Sequence, residues 1–188
     1  HSRALGMRFG LGLSPYELYR DFSGPYKTAF IDKVRSLDAI GIDDLAILFD
    51  DTRGDVPDLA AREAEIVHAA LAHTRASRVL MCPTYYSDDR MLDVVFGQRP
   101  AGYLHDLGRR LDPRVGVYWT GEEICAREFS PGHLARVTES LGRKPATPIQ
   151  TEPVAPPTKK SYAKVRFSPI PPDAVSVLSP SGESLPVE

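Results

Sequence analysis

The stretch Leu45-Ala46-Ile47-Leu48-Phe49-Asp50-Asp51 decides the fold of this 188-residue chain. Its five consecutive apolar residues do not alternate with polar ones, which is typical of a strand buried on both faces of a parallel sheet. The two aspartates end the apolar run, so the strand is expected to end beside them. Parallel strands need crossover connections that are usually helical, and helices are therefore expected on both sides of this strand.

Segments with strand and helix patterns alternate along the first 143 residues. The predicted strands are residues 7–13, 45–49, 78–82 and 114–119, and the predicted helices are residues 26–40, 57–73, 101–111 and 132–141. Strands separated in this way by helices predict an α/β fold built from parallel βαβ units. The pattern alone leaves open whether these units form an open sheet or part of a barrel.

Composition excludes several classes of protein. Apolar residues make up 42% of the chain and charged residues 26%, as in soluble globular proteins. The net charge of −2 does not fit a strongly basic nucleic-acid surface, so we expect no nucleic-acid partner. The apolar stretches are too short to span a membrane. The length of 188 residues suits one domain and is below the roughly 250 of a complete eight-stranded α/β barrel.

The two cysteines and the first residue bear on cellular setting. Cys82 and Cys125 are too few for a disulfide scaffold or a four-cysteine metal site. We interpret them as reduced thiols, which favours a cytoplasmic location. The chain begins with His1 in place of methionine, so we expect a truncated N-terminus, and the lack of a targeting segment says little about location.

The composition changes near Lys144. Ten of the 17 prolines lie in residues 144–188, and proline at this density favours an extended or disordered tail. We therefore predict two regions, a folded domain over residues 1–143 and a proline-rich tail over residues 144–188. Within the tail, residues 161–167 alternate between apolar and polar side chains, a pattern that permits one short strand.

The Asp50-Asp51 pair is the strongest candidate for chemistry, because ligands of parallel α/β folds meet the carboxyl ends of the strands. Two adjacent carboxylates do not ionise independently, so one becomes a proton donor beside a charged acceptor. This division suits acid/base cleavage of a glycosidic bond. Two alternatives remain: one aspartate caps the next helix while the other is solvated, or both join Asp55 in a magnesium site.

Tyr86 follows the strand predicted over residues 78–82, and Trp119 ends the strand predicted over residues 114–119. Tyr86 offers a hydrogen-bond donor for a ligand hydroxyl, and Trp119 offers a flat apolar wall. Ordinary packing explains both residues as well, and it explains Trp119 better than Tyr86. The four histidines on predicted helices show no metal-ligand spacing, so we interpret them as surface or packing residues; they are His68, His73, His105 and His133.

Four motifs in order resemble the catalytic domain of glycoside hydrolase family 84, the family of O-GlcNAcases and bacterial β-N-acetylglucosaminidases, with some members described as hyaluronidases. The motifs are Leu13-Ser14-Pro15, then residues 45–51, then Met81-Cys82-Pro83-Thr84-Tyr85-Tyr86, then Tyr103-Leu104 and Leu107-Gly108 leading into Val117-Tyr118-Trp119-Thr120-Gly121. The resemblance covers residues 1–143 and none of the tail.

The resemblance implies an eight-stranded (β/α)8 barrel, of which this chain would hold the third to sixth strands. It implies a retaining, substrate-assisted mechanism in which the acetamido oxygen of the substrate forms an oxazoline. In that mechanism Asp50 would orient the acetamido group and Asp51 would serve as general acid and base. Tyr86 would line the sugar pocket, with Trp119 as a further substrate-binding candidate. The resemblance implies no cofactor and no metal.

The chain departs from the family at both ends of the matched region. The first two barrel strands of the family would precede His1, and its seventh strand, with Trp-Asp-Asn, is replaced here by residues 144–148. Part of a barrel has open strand edges, so we expect the chain alone to have little hydrolase activity and to tend towards self-association.

The expected substrate is a protein or glycan that carries β-linked N-acetylglucosamine (GlcNAc). Three other functions stay open: a polysaccharide hydrolase acting on hyaluronan, a non-catalytic module that binds GlcNAc, and a magnesium-dependent phosphohydrolase.

Overall fold

The computed structural model describes residues 6–50, 52–126 and 128–146, together with three short strands of the tail at residues 163–166, 177–178 and 184–185. Within the first 146 residues, four strands belong to one parallel sheet: β1 (Gly10–Ser14), β2 (Asp44–Leu48), β3 (Arg78–Cys82) and β4 (Gly116–Val117). The predicted α/β class is confirmed.

In the described part of the chain, five α-helices accompany the sheet: α1 (Gly24–Ile40), α2 (Leu59–His73), α3 (Met91–Phe96), α4 (Tyr103–Arg110) and α5 (Pro131–Leu141). Their ends follow local sequence signals. Ser130 precedes α5, and its hydroxyl accepts a hydrogen bond from the backbone N–H of His133. Gly41 ends α1 in the left-handed conformation, with φ of 83°. Among the described residues, none of these helices has the length and apolarity needed to cross a membrane.

Neighbours in the sheet are also neighbours in the chain, with β4, β3, β2 and β1 side by side. Leu45 of β2 pairs with Leu11 of β1 on one side and with Val79 of β3 on the other. Helices α1, α2, α4 and α5 contact one another in the same sequential order. This regular progression is the one found in a segment of an α/β barrel.

The core lies where the apolar run predicted it. Leu45, Ile47 and Phe49 are completely buried, and so are Phe30 of α1 and Ile66 of α2, which cover the sheet. The first three of these residues point to one face of the sheet, and on the other face Ala46 is 5% exposed while Leu48 is half-buried. Burial on both faces explains the lack of alternation in the sequence of β2.

At the N-terminal ends of β2 and β3, the buried carboxylate of Asp44 is paired with two half-exposed arginines. Asp44 is 4% exposed, and its carboxylate accepts hydrogen bonds from the guanidinium groups of Arg8 and Arg78, the latter across 2.7 Å. Burial alone would raise the pKa of Asp44, but hydrogen bonds from the two arginines outweigh it and hold this pKa below its usual range. This end of the sheet is therefore built for stability.

Several boundaries differ from the sequence prediction. β1 starts at Gly10 and β4 covers only Gly116–Val117, after which Tyr118 forms an isolated bridge to Ala146. The 3-10 helix at Tyr16–Tyr19 and α3 were not predicted, since four and six residues are too few to show a helical period.

In the tail, β5 (Ala163–Arg166) lies parallel to β1, with Leu11 opposite Ala163. The short strand predicted within residues 161–167 is confirmed. From the sequence, both outer strands of the partial barrel were expected to have an unpaired edge. For β1 this expectation was wrong, because β5 pairs along its outer edge. The strands β6 (Val177–Leu178) and β7 (Ser184–Leu185) form a separate antiparallel pair. The prediction of an extended or disordered tail otherwise falls outside the described residues.

Candidate active site

The carboxyl ends of β1, β2 and β3 lie at one edge of the sheet, because the three strands are parallel and adjacent. Two segments leave this edge. We call residues 49–52, which follow β2, the aspartate segment, and residues 83–86, which follow β3, the tyrosine segment. The backbone N–H of Phe49 donates to the carbonyl of Cys82 across 2.8 Å, so the two segments start side by side. The fold thereby brings together the two motifs that the sequence singled out.

Asp50 is half-buried at the start of the aspartate segment, immediately beyond the fully buried Phe49. Asp51, the other predicted catalytic residue, lies outside the described residues. On its far side Thr52 is again buried, and its N–H donates to the Phe49 carbonyl across 3.1 Å. The two described ends of the aspartate segment are therefore fixed to the sheet on either side of the aspartates.

Tyr86 is half-buried at the end of the tyrosine segment. Its carbonyl accepts a hydrogen bond from the N–H of Thr120, 2.9 Å away, beyond β4. Its neighbour Tyr85 points into the core and donates its hydroxyl hydrogen to the carbonyl of Gly97. Because Tyr85 packs so tightly on Gly54, a Cβ at residue 54 would lie 2.2 Å from the Tyr85 hydroxyl oxygen.

A buried acid lies beneath both segments. Glu63, on α2, is completely buried and accepts hydrogen bonds from the Thr84 N–H (3.1 Å), the Thr84 hydroxyl (2.7 Å) and the Tyr103 hydroxyl. The Thr84 hydroxyl also contacts the Thr52 hydroxyl across 2.8 Å. Burial raises the pKa of Glu63 to about 7, against the opposing effect of the hydrogen bonds from Tyr103 and Thr84.

Sequence reasoning missed Glu63, although a signal was present. Glu63 lies four residues after Leu59 and three before Ile66, so it falls on the apolar face of α2. A glutamate at such a position needs hydrogen-bond partners inside the fold, since an unpaired buried carboxyl is costly. The partners, Thr84 and Tyr103, come from segments that are distant in sequence.

Trp119 is completely buried, and its indole N–H donates to Nε2 of His133 across 2.9 Å. The sequence left two roles open for Trp119, an apolar wall of a sugar pocket and packing. Its lack of exposure favours packing in this structure. Tyr16, in contrast, is 48% exposed just beyond β1 and has φ of 50°, which is uncommon for a bulky residue.

Asp55 is the third carboxylate of the magnesium site that the sequence left open. The Asp55 carboxylate is paired with the guanidinium of Arg53, which lowers the pKa of Asp55 through their hydrogen bonds. Within the described part of the chain, no group of three or more His, Cys, Asp or Glu side chains has the arrangement of a metal site. Of the four histidines, His133 is buried, His73 is half-buried, and His68 and His105 are exposed.

A family model described as beta-N-acetylglucosaminidase matches residues 1–154, which extends past the composition change near residue 143. The chain belongs to the beta-N-acetylglucosaminidase family. The resemblance to glycoside hydrolase family 84 is thus confirmed.

Solved structures that resemble this beta-N-acetylglucosaminidase family member agree in fold. An O-GlcNAc hydrolase mutant from Thermobaculum terrenum is similar with a TM-score of 0.63 and 24% identity, over 82% of this chain and 34% of that one. The protein named CpGH84B has a TM-score of 0.58 and 21% identity, over 75% of this chain and 26% of its own. CpGH84D has a TM-score of 0.56 and 19% identity, over 76% and 24%. The chain therefore spans about a third or less of these proteins.

Proposed function

We propose that this segment carries the catalytic carboxylates of an enzyme that hydrolyses β-linked N-acetylglucosamine. The observation that carries the proposal is the position of Asp50, two residues beyond the end of β2, at the edge of the sheet where barrel enzymes bind their substrates. Asp51 is the next residue in the sequence. Membership of the beta-N-acetylglucosaminidase family supports the same chemistry. The substrate would be a glycoprotein or glycan that presents GlcNAc.

The proposed mechanism is retaining and substrate-assisted. The acetamido oxygen attacks the anomeric carbon and forms an oxazoline while the glycosidic bond breaks. Asp51 protonates the departing oxygen and later, as base, takes a proton from the water that opens the oxazoline. Asp50 accepts a hydrogen bond from the acetamido N–H and stays charged beside the developing cation. Tyr86 lines the sugar pocket with its hydroxyl.

We further propose that β1 to β4 are the third to sixth strands of a (β/α)8 barrel, with residues 1–143 as the partial barrel and residues 144–188 as the tail. The chain spans 34% of the Thermobaculum terrenum hydrolase, and four strands are half of an eight-stranded barrel. We expect the 188-residue chain alone to turn over little or no substrate.

The test compares this chain with a longer protein in which the same segment is flanked by the remaining barrel strands. The longer protein is expected to cleave a nitrophenyl β-N-acetylglucosaminide and not the matching β-glucoside, which lacks the acetamido group. Asp51→Asn and Asp50→Asn should each lower kcat by at least about 100-fold. Asp58→Asn, a change at an exposed residue after the aspartate segment, is the matched control and should retain turnover.

The same assay separates the other functions. Retained turnover in Asp51→Asn would contradict the proposed acid/base role. Loss of activity in EDTA would support a magnesium-dependent enzyme. A second candidate function is a non-catalytic module that binds GlcNAc, because the chain spans only part of the solved hydrolase. Tight binding of an oxazoline mimic by the longer protein without turnover would favour that function. Preferred cleavage of hyaluronan would identify a polysaccharide hydrolase.

A further inference from the structure

Glu63, Thr84 and Thr52 form a continuous chain of hydrogen bonds from α2 to both segments of the candidate site. A carboxyl oxygen of Glu63 lies 2.7 Å from the Thr84 hydroxyl, a contact in which the hydroxyl donates to the ionised acid and accepts from the neutral one. The Thr84 hydroxyl contacts the Thr52 hydroxyl, and the Thr52 hydroxyl contacts the Phe49 carbonyl, both across 2.8 Å. All three linked side chains are buried, so water does not offer replacement partners. The chain ends within the aspartate segment, directly beside the predicted catalytic residues.

The number of hydrogens available to this network indicates whether the Glu63 carboxyl is protonated. Four contacts involve hydroxyl groups: Tyr103 with Glu63, Glu63 with Thr84, Thr84 with Thr52, and Thr52 with the Phe49 carbonyl. The three hydroxyls hold one proton each, so an ionised Glu63 leaves one of the four contacts without a hydrogen. A proton on Glu63 supplies the fourth. The acid then donates to Thr84, Thr84 to Thr52, and Thr52 to the carbonyl.

We propose that Glu63 is a positioning residue: as the neutral acid, it ties the tyrosine segment to the aspartate segment through the hydroxyls of Thr84 and Thr52. The inference rests on the hydrolase function proposed above, because the segments it aligns are those of Asp50-Asp51 and Tyr86. On ionisation, Thr84 turns its proton towards the carboxylate, and Thr52 keeps either its contact with Thr84 or its contact with Phe49.

The surroundings of Glu63 favour the neutral acid. Burial is the main cause that brings its pKa to about 7. Its titratable neighbours are Tyr103 on α4 and Tyr85 in the tyrosine segment, and Tyr103 in turn interacts with Cys82 at the end of β3. Burial also raises the pKa of Tyr103 well above its usual value and that of Tyr85 to about 12. Both phenols therefore stay protonated near neutral pH, and Tyr103 remains a donor to Glu63.

The test follows the methyl NMR signals of threonine in the 188-residue chain from mildly acidic to mildly alkaline pH. The Thr52 and Thr84 signals are expected to shift together, with a common midpoint near the value of about 7 for Glu63. Glu63→Gln has no ionisable group at this position, so the Thr52 and Thr84 signals should keep one position at every pH. Tyr103→Phe removes a donor to the ionised acid, and the midpoint should rise.

Glu65→Gln is the matched control, since Glu65 lies on the same helix but is exposed and pairs with Lys27. It should leave both threonine titrations unchanged. Threonine signals that do not respond to pH in the wild type, or that still titrate in Glu63→Gln, would overturn the proposal.

Kinetics in the longer, barrel-completed protein give a second readout. Glu63→Leu should lower kcat by about 10-fold or more with little change in KM, since misplaced catalytic groups lose rate. Glu63→Gln should keep kcat and lose the part of the pH profile that follows Glu63. Unchanged kinetics in Glu63→Leu contradict the positioning role. If the threonine signals titrate but the unsubstituted longer protein shows no turnover, the hydrolase function is contradicted and the hydrogen-bond network of Glu63 still stands.

Discussion

The indole Nε1 of Trp119 donates a hydrogen bond to Nε2 of His133 across 2.9 Å, and both side chains are buried. Because Nε2 accepts this bond, the imidazole carries its proton on Nδ1, which lies 3.3 Å from the Asp88 carboxylate. The pair joins the segment after β4 to α5. Its position also explains why Trp119, which the sequence offered as the apolar wall of a sugar pocket, is buried instead.

Replacement of His133 by Phe removes the acceptor and leaves the Trp119 N–H buried without its partner. We expect a loss of about 1–3 kcal/mol in the free energy of unfolding, measured by urea denaturation. His105→Phe, at an exposed position of α4, is the control and should change stability by no more than about 0.5 kcal/mol. Equal effects of the two changes would show that the hydrogen bond contributes nothing measurable.

Asp44 is expected to make the fold sensitive to acid. Its pKa is lowered in the folded state, so its contribution is present above the ordinary value of 3.8 and is lost as pH falls through the lower folded value. Asp44→Asn should cost about 1–3 kcal/mol at neutral pH and reduce the loss of stability below about pH 4. The measurement is urea unfolding at a series of pH values.

The control for Asp44 is Asp32→Asn, because Asp32 forms an exposed pair with Arg35 on one helix. Such pairs contribute little, so this variant should stay within about 0.5 kcal/mol of the wild type at every pH. A wild-type stability that is flat in the acidic range would refute the role given to Asp44.

The contribution of Glu63 to stability should depend on pH in the opposite direction to that of Asp44. Its folded pKa of about 7 lies above the ordinary 4.5, so its contribution is complete below pH 4.5 and is lost as pH rises to about 7. Over this interval the wild type should lose up to roughly 3 kcal/mol relative to Glu63→Gln, which does not titrate. Parallel pH curves for the two proteins would contradict this prediction.

Gly108 and Gly132 lie in two neighbouring helices and are expected to respond to alanine with opposite signs. A Cβ at Gly108 would approach the carbonyl oxygen of Leu141 to 2.3 Å, so Gly108→Ala must separate α4 from α5 and should cost about 1–3 kcal/mol. A Cβ at Gly132 meets only the end of the Arg136 side chain at 3.9 Å. Gly132→Ala should be neutral or should stabilise by up to about 1 kcal/mol, as measured by thermal unfolding.

The sequence predicts the central elements well because their signals are local. The apolar runs of β2 and β3 and the apolar faces of α1, α2 and α5 lie within one or two residues of their predicted bounds. The prediction was weaker at β4, where the run at residues 114–119 gives only two strand residues. Beyond Val117 the chain pairs with Ala146 instead, and the backbone N–H of Trp119 donates to the carbonyl of Ala146.

The candidate site was predictable only in part. Parallel strands place Asp50 and Tyr86 at the same edge of the sheet, so their neighbourhood follows from the βαβ pattern. The contacts of Glu63 do not follow from it, since its partners Thr84 and Tyr103 lie 21 and 40 positions further along the chain. Only the three-dimensional packing reveals a buried acid supported by hydroxyl groups.

The order of the strands has a consequence for how the chain reaches this structure. Strands β1 to β4 each pair with the strand that precedes or follows them in the chain, so each pairing closes a short loop. β5 is different, because it pairs with β1 across about 150 intervening residues. Contacts of such long separation pay a larger loop-closure entropy and form late. We therefore expect β5 to dock last during folding and to detach first during unfolding.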